Sequence, residues 1–427
     1  MSADMPFEIS LSLALTGDGT PERAAFDAML GKAKDYLIEL FEDSDPLELF
    51  TLLDREDDLT AAAALAKIFC AEVDKIFVLG IGGSSAGGQA LSWLLPYANQ
   101  SVPRVTFFGN SDHSMFAAAL KGCDPKRTKF VSISKSGATA ETLIQTLAAA
   151  TFLRGEVEEK NIAKHFAVVT DTTPSPLLQF AEQISCAILD HPKHIGGRYS
   201  VLSVVGLFPA LLMGLDANLF RAGAKSVLEN ARANPVANES PAAGAALHAA
   251  LLHAQCLDES VLWSYAEQLG MFGEWWRQLW AESLGKGRKG TTPIAATGTA
   301  DQHSQLQLFL DGPGKALFTL ISLVRSGDGP RVSRKDAETL GISYLAEKTL
   351  GDLVNASARA TAQTLARRGR PVRIIQLGTV DEYTLGALFM HFMMETILMA
   401  RLTGVDPFDQ PAVEEGKALT RKYLEGL

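Results

Sequence analysis

The chain has 427 residues, of which 47% are hydrophobic and 21% charged, a balance that excludes a largely disordered protein. Its length is sufficient for two or three domains. The formal charge of −10 excludes a general nucleic-acid surface, which needs clustered Lys and Arg, although a few local donors can still bind a small anion.

The helices and strands predicted first lie before residue 171. Acidic and Leu-rich stretches such as 35–43 predict helices in an N-terminal segment, 1–50, and we expect the helices before residue 70 to pack against the first domain. From about Asp74, apolar β-branched runs alternate with helical sequence, a pattern typical of βαβ units. The predicted strands are 75–80, 104–109, 129–134 and 165–171. We therefore predict a first doubly wound domain over 51–233.

A second series of strands predicts a second domain of the same class. These strands are 260–265, 316–323 and 372–378. Pro and small polar residues in 234–244 indicate a linker, although a helix could equally bridge the domains there. The predicted fold is α/β, with a second doubly wound domain over 234–402, central mostly parallel sheets flanked by helices, and a C-terminal helical tail over 403–427.

The apolar stretches and the cysteines bear on the compartment. Residues 385–400 are apolar but are interrupted by His391 and Glu395 and are shorter than the roughly 20 residues of a membrane span, so we predict a buried helix. The first ten residues lack the positive charge and apolar run of a secretory signal. Four cysteines lie far apart, Cys70, Cys123, Cys186 and Cys256. Neither a disulfide framework nor a metal knuckle is expected, and we predict a cytoplasmic protein that binds no membrane.

A glycine-rich turn, GIGGSSAGG at 80–88, follows the first predicted strand of the first domain. Backbone N–H groups at such a turn can approach an anion or a sugar hydroxyl closely, and Gly83 and Ser84 are the candidates. Ser85 stands where a dinucleotide fingerprint has its third Gly, and no Lys-Ser/Thr pair of a P-loop follows. A tight turn without a ligand is the alternative.

A hydroxyl-rich turn, SKSGATAET at 134–142, follows another strand of the same sheet. The hydroxyls of Ser134, Ser136 and Thr139 can gather around a phosphate at a helix start, with charge added by Lys135. These residues could equally be ordinary helix caps, and Lys135 could be solvated. Ligands of open α/β sheets bind beyond the carboxyl ends of strands, so the two turns together favour a binding site.

The two turns make the chain similar to sugar isomerase domains, in which a serine-rich turn holds the phosphate of a phosphosugar. Four further segments resemble signatures of the glucose-6-phosphate isomerase family in the family's order: 196–214, 267–286, 298–308 and 408–417. The resemblance implies two sugar isomerase domains, a hexose 6-phosphate substrate, isomerisation through ring opening and an enediolate, and no cofactor.

Four residues take catalytic roles by this resemblance. Glu282 occupies the place of the family's catalytic base, since a carboxylate can move a proton between neighbouring carbons. Arg198, after two glycines, would stabilise the enediolate, and His303 and Lys417 would open the sugar ring. Taken singly, each has a structural alternative: a surface glutamate, a salt-bridge arginine, a structural histidine, and a lysine paired with Glu414.

The resemblance also implies other contacts and a partner subunit. Gln278, Gln410 and Ser84 resemble substrate-contacting residues, and Glu141 resembles a glutamate that steadies the histidine. In the family that histidine reaches the site from the neighbouring subunit, so we predict a homodimer in which His303 is shared across the interface.

The chain departs from the family pattern at a few positions. Leu284 stands where the family usually has Asn, and Ala412 where Gly is common. Neither change removes a proposed catalytic group. The open alternatives are an isomerase of mannose 6-phosphate or of both sugars, and a non-catalytic phosphosugar sensor. A metalloenzyme is disfavoured because His191–His194 and His248–His253 lack supporting ligands.

Overall fold

The computed structural model describes residues 5–16, 19–95, 103–324 and 326–426. The described strands are β1 (Phe7–Ser10), β2 (Lys75–Leu79), β3 (Arg104–Phe108), β4 (Thr128–Ile133), β5 (Phe166–Thr170), β6 (Ala187–Asp190), β7 (Glu259–Ser264), β8 (Thr292–Thr297), β9 (Ala316–Leu323) and β10 (Val372–Leu377). The described helices are α1 (Arg23–Glu42), α2 (Glu48–Thr51), α3 (Asp57–Phe69), α4 (Gly83–Ser92), α5 (His113–Lys121), α6 (Ala140–Arg154), α7 (Pro176–Ile184), α8 (Val204–Leu212), α9 (Ala217–Ala233), α10 (Pro241–His253), α11 (Gly270–Leu284), α12 (Leu306–Asp311), α13 (Arg334–Thr339), α14 (Leu350–Arg367), α15 (Glu382–Thr403) and α16 (Glu414–Leu424).

The strands form two five-stranded sheets of closely related topology. The first has the order β3-β2-β4-β5-β6 and is parallel throughout. The second has the order β1-β10-β9-β7-β8, in which only β1 is antiparallel to its neighbour. Helices cover the sheets, and all five residues of β5 are buried, as expected for a parallel strand covered on both faces. The predicted fold class is confirmed.

Three strands escaped the sequence prediction because each lacks the usual signals. β6 is a short edge strand, β8 contains Pro293 and alanines, and β1 is a four-residue strand. Pro is tolerated at the edge of a sheet, where β8 lies. In β1, Phe7 and Ile9 point inward and are buried, which fixes its place on the second sheet.

The predicted packing of the N-terminal segment is wrong for α1. This helix packs against α10 and α15, which flank the second sheet, and only α3 packs against α8 near the first sheet. Burial of Phe26, Leu37 and Leu40 on α1 provides the physical reason. The predicted linker is also shorter than expected, because α10 begins at Pro241 and nearly all of its side chains are buried.

The apolar helix α15 forms the centre of the core. Its length and composition would suit a membrane span, but 89% of the apolar 18-residue stretch within it is buried inside the protein. The prediction of a buried helix is confirmed. α15 packs against α9, α10 and α11, and α11 packs in turn against α4. α11, which follows β7 of the second sheet, therefore packs against α4, which follows β2 of the first sheet.

Candidate active site

The glycine-rich turn joins β2 to α4 at the carboxyl edge of the first sheet. Gly82 has a φ of +57°, a left-handed conformation that favours glycine. β2 and β4 are neighbours, and a Cβ on Gly80 would lie 3.2 Å from the carbonyl oxygen of Ile133, the last residue of β4. The glycine-rich and hydroxyl-rich turns therefore share one edge, as predicted.

Gly83 lets this turn touch the backbone that carries Arg198. A Cβ on Gly83 would lie 2.1 Å from the carbonyl carbon of Gly197 and 2.5 Å from the amide nitrogen of Arg198. No side chain fits in this space. By contrast, Gly196 has no atom within 4 Å of an added Cβ. The close approach therefore depends on Gly83, and not on both glycines before Arg198.

The guanidinium of Arg198 is buried and held on several sides. Its Nε donates to Ser283 Oγ at 2.8 Å, and its Nη2 donates to the carbonyl oxygens of Pro407 at 2.5 Å and Asp409 at 3.0 Å. Its Nη1 donates to Glu282 Oε2 at 3.2 Å. The side chain is 3% exposed. Charge-assisted bonds to fixed partners immobilise the cation, and Glu282 is the charged partner among them.

Glu282 lies on α11 with its carboxylate between two donors. Gln278, one helical turn earlier, donates from Nε2 to Glu282 Oε1 at 2.9 Å, as the i,i+4 spacing allows. The Glu282 side chain is 33% exposed, so a substrate can still reach it. A Cβ on Gly82 would lie 2.9 Å from Gln278 Nε2, which places this face of α11 against the glycine-rich turn.

Buried aromatic residues hold α11 in place. Trp275, Trp276 and Trp280 are buried, and Trp275 Nε1 donates to the carbonyl oxygen of Arg198 at 3.2 Å. This bond ties the helix that carries Glu282 to the turn that carries Arg198. The tryptophan-rich motif therefore has a structural function beside the candidate base.

The segment 406–410 covers the buried side of this pair. Gln410 Oε1 accepts a short hydrogen bond from Arg198 Nη1, and Asp409 forms a 2.7 Å salt bridge with Lys286. The rings of Tyr199 and Phe408 lie 5.4 Å apart. Of the predicted residues, Arg198, Glu282, Gln278 and Gln410 therefore come together in one chain.

The hydroxyl-rich turn is partly assembled as predicted. The hydroxyls of Ser134 and Thr139 are 2.9 Å apart, and Thr139 is the N-cap residue of α6. Ser136 is exposed, and its hydroxyl accepts a bond from the Ala138 amide at 3.3 Å. Lys135 is half-buried, and burial lowers its pKa, an effect opposed by Asp171. The turn offers hydroxyls, amides and one lysine at its helix start.

Three predicted residues form no hydrogen bond or ion pair with Arg198 or Glu282 in the part of the chain that the structure describes. His303 is exposed after a short 3-10 helix, Ala300–Gln302, and Glu141 is exposed in the first turn of α6. Lys417 lies on α16, where its Nζ pairs with Glu414 Oε1 at 2.7 Å, the structural alternative considered from the sequence. Ser84 is half-buried in the first turn of α4. Within the described ranges, Glu282 bonds to Arg198 and Gln278, and it forms no hydrogen bond or ion pair with His303, Glu141 or Lys417.

Two residues of the site were missed from the sequence. Ser283 is completely buried and bonds to both Arg198 and the Tyr199 hydroxyl, the latter at 3.0 Å. Burial raises the pKa of Tyr199 to about 12, so its hydroxyl stays protonated. The sequence feature that could have identified them is their position directly after Glu282 and Arg198, within the segments 267–286 and 196–214. Within the described ranges, no group of three or more His, Cys, Asp or Glu side chains could hold a metal ion.

The fold and this site define a class of protein. A guanidinium fixed against a carboxylate, beside glycine and hydroxyl turns at the carboxyl ends of parallel strands, suits an enzyme that moves a proton on a small anionic substrate. Comparison with known proteins gives the particular family. Residues 64–427 match the model of the family described as phosphoglucose isomerase, and the chain belongs to that family. The family predicted from the motifs is confirmed.

Individual relatives cover most of the chain. A glucose-6-phosphate isomerase of Rubrobacter xylanophilus is 34% identical over 88% of this chain and 88% of its own length. One from Thermus thermophilus is 36% identical over 83% of this chain and 84% of its own length.

Solved structures share the fold. The crystal structure of a hypothetical protein from Thermus thermophilus superimposes with a TM-score of 0.84 at 31% identity, covering 98% of this chain and 99% of its own. A glucose-6-phosphate isomerase from Chlamydia trachomatis gives a TM-score of 0.81 at 20% identity, covering 98% of this chain and 88% of its own. The second likeness bears on the fold alone.

Proposed function

We propose that this protein is a glucose-6-phosphate isomerase that interconverts D-glucose 6-phosphate and D-fructose 6-phosphate. The observation that carries the proposal is the 3.2 Å contact between Arg198 Nη1 and Glu282 Oε2, made between two of the predicted catalytic residues in a chain of the phosphoglucose isomerase family. A base and a cation in contact are what an enediolate intermediate needs.

The substrate's phosphate is held by the hydroxyl-rich turn. Ser134, Thr139 and the amides at the start of α6 bind the phosphate oxygens, with Lys135 adding charge. The glycine-rich turn, with Gly83 and Ser84, and the amides of Gln278 and Gln410 bind the sugar hydroxyls. This arrangement places the reacting carbons of the sugar toward α11.

The proton transfer runs through Glu282. The carboxylate takes the proton from C2 of the open-chain aldose, and the electron pair shifts onto the carbonyl oxygen to give the enediolate. The hydroxyl proton on the C2 oxygen passes to the C1 oxygen, and the same carboxyl group returns its proton to C1 as the C2 oxygen becomes the ketone. Arg198 faces the developing negative charge throughout, and fixed charges of this kind commonly contribute a factor of about 10² to 10³.

Ring opening is assigned to His303 and Lys417 in a homodimer. His303 of the partner subunit would complete each site, with Glu141 steadying it, because the His303 side chain is exposed and, in the described residues, does not bond to Glu282 of its own chain. Lys417 would leave Glu414 and move to the site with α16. Exposed Phe408, Val413 and Leu419 along this C-terminal part support such a rearrangement at a subunit contact. We place the enzyme in the cytoplasm, in glycolysis and gluconeogenesis.

The test is conversion of fructose 6-phosphate by three proteins: wild type, Glu282→Gln and Glu274→Gln. Glu274 lies on the same helix and pairs with Arg277 near the surface, so it is the matched control. We expect Glu282→Gln to lose a factor of about 10² to 10⁴ in kcat and to keep its affinity for the phosphosugar. Glu274→Gln should convert substrate like wild type. An unaltered rate in Glu282→Gln would remove this residue as the base.

A further inference from the structure

The second sheet carries a cleft at the position where the first sheet carries its hydroxyl-rich turn. The cleft has a volume of about 190 Å³ and opens to solvent, so a ligand bound there would stay partly exposed. One wall is the face of β9 and β10 that bears Leu320, Ser322, Ile374 and Gln376. It shares no residue with the Arg198 and Glu282 site.

The strand registers make the two positions equivalent. Within each sheet the parallel strands follow the same order, β3-β2-β4-β5 and β8-β7-β9-β10. Thr128 of β4 pairs with the first residue of β2, and Ala316 of β9 pairs with the first residue of β7. When this register is continued, Ser134 corresponds to Ser322, which lines the cleft.

The next strand in each sheet gives the same correspondence. Phe130 pairs with Phe166 in the first sheet, and its counterpart Phe318 pairs with Val372 in the second. Thr170 therefore corresponds to Gln376. A Cβ on Gly137 of the hydroxyl-rich turn would lie 3.1 Å from Thr170 Oγ1, so Thr170 borders that turn as Gln376 borders the cleft.

The covering helices explain why the second position is open. On α6, Thr146 fills the space above Ser132, and the two hydroxyls are 2.8 Å apart and buried. The strand equivalent of Ser132 is Leu320. The facing positions of α14 include Ala358 and Ala362, whose small side chains leave room. The first sheet packs this space with side chains, and the second leaves it for a ligand.

The polar rim of the cleft selects the ligand's chemistry. Ser322 and Gln376 supply a hydroxyl and an amide group, and Arg359 on α14 supplies positive charge. Arg359 forms no salt bridge with any carboxylate of the described chain, so its charge is open to a ligand. Asp352 caps the start of α14 by accepting bonds from Thr349 and Gly327, so an anion would use Arg359 and not the helix terminus.

We propose that this cleft is a second binding site, separate from the catalytic one, for a small polyhydroxylated molecule that carries a phosphate. The inference rests on the proposed phosphate-binding role of the hydroxyl-rich turn, because the two positions are compared. It extends that role to the second half of the chain, where Arg359 takes the place of Lys135 as the nearby cation. Its occupant would act as an effector and not as a substrate, because Glu282 and Arg198 lie elsewhere.

The experiment counts binding sites by calorimetric titration with sorbitol 6-phosphate, which has no carbonyl and cannot be isomerised. Wild type should bind two molecules per chain. Ala362→Leu, which fills the cleft with apolar atoms, should bind one. Thr139→Asp keeps a helix-capping residue but sets a carboxylate against the phosphate at the hydroxyl-rich turn, and it should also bind one. The double variant should bind none.

Two surface variants test the charge without altering the core. Arg359→Ala should weaken binding at the cleft at least about tenfold, whereas Arg367→Ala on the same helix should not change it. Uncharged sorbitol should not bind the cleft measurably. Circular dichroism of each variant shows whether it is folded.

The results that would overturn the second binding site differ from those that would overturn the proposed role of the hydroxyl-rich turn. One site per chain in wild type, lost in Thr139→Asp, would overturn the second site. So would equal binding by wild type and Arg359→Ala, which does not depend on whether Ala362→Leu folds. Two sites retained in Thr139→Asp would instead overturn the proposed role of the hydroxyl-rich turn.

Discussion

Arg198 Nη1 lies 3.2 Å from Glu282 Oε2, although the two residues are 84 positions apart and follow strands of different sheets. The contact depends on the packing of α4 against α11 and on the bare backbone of Gly83 beside Gly197. The candidate site is therefore a product of how the two halves of the chain are joined.

Replacement of Gly83 by alanine should separate the glycine-rich turn from Arg198. The added Cβ would lie 2.1 Å from the Gly197 carbonyl carbon. Because the nearest atoms belong to the backbone of Gly197 and Arg198, they cannot move aside as the end of a flexible side chain could. We expect a loss of about 1 to 3 kcal/mol in unfolding free energy and a marked fall in kcat. Gly196→Ala is the matched control, since its Cβ meets no atom within 4 Å, and it should resemble wild type in urea unfolding and in activity. Equal effects of the two substitutions would contradict this account of the turn.

The conservative change Arg198→Lys should be damaging. An ammonium group cannot satisfy Ser283, the two carbonyl oxygens of 407 and 409, and Glu282 from one position as the planar guanidinium does. We expect kcat to fall by about 10² to 10³, with a smaller change in KM. Arg277→Lys, on the surface of α11, should leave steady-state kinetics as they are. The idea fails if the lysine enzyme retains wild-type kcat.

Acid should destabilise the protein through a buried histidine. Burial lowers the pKa of His248 to about 4, against the opposing effect of Glu395, so the folded state holds this side chain neutral. In the unfolded chain this histidine has a pKa of about 6.5. The stability that the neutral His248 contributes is therefore complete above that pH. As the pH falls toward 4, the protein loses on the order of a few kcal/mol of unfolding free energy. His248→Gln should flatten this part of a urea-unfolding series between pH 7.5 and 4.5. His253→Gln, exposed on the same helix, should retain the slope, and parallel curves for wild type and His248→Gln would refute the assignment.

Shared sites can be detected by mixing two inactive variants. Glu282→Gln and His303→Gln should each be poorly active as homodimers. If His303 acts across the interface, a mixed dimer contains one site with both native residues, and activity should reappear after the subunits exchange. Two variants of the same residue, Glu282→Gln and Glu282→Ala, should give no recovery and serve as the control. Absence of recovery in a mixture shown by native mass spectrometry to contain mixed dimers would place His303 in the same subunit as its Glu282.

Long patterns made the family and the fold class predictable from the sequence. Apolar β-branched runs gave seven strands close to their observed bounds, because parallel strands buried on both faces carry a strong signal. This signal is weak in β1, β6 and β8, whose positions are determined by pairing with neighbouring strands in the folded protein. The partner of α1 was wrongly predicted, since an amphipathic helix does not specify which apolar surface it covers. The domain bounds 51–233 and 234–402 stay predictions.

The candidate site was predictable where motif and packing agree. The motifs correctly indicated that four residues come together, Arg198, Glu282, Gln278 and Gln410. The buried hydrogen bonds of Ser283 and Tyr199, by contrast, have no sequence pattern that predicts them. The roles of His303, Lys417 and Glu141 stay predictions. In a single chain these side chains are exposed, and the proposed roles would require a partner subunit or a moved helix.

The most direct test of the central claim is hydrogen exchange at C2 of glucose 6-phosphate in deuterium oxide, followed by proton NMR. Wild type should replace the C2 hydrogen with deuterium during isomerisation, because the Glu282 carboxyl group exchanges its proton with solvent between the two transfers. Glu282→Gln should slow this replacement by about 10² to 10⁴ while still binding the phosphosugar. Exchange at the wild-type rate in Glu282→Gln would show that another group carries the proton.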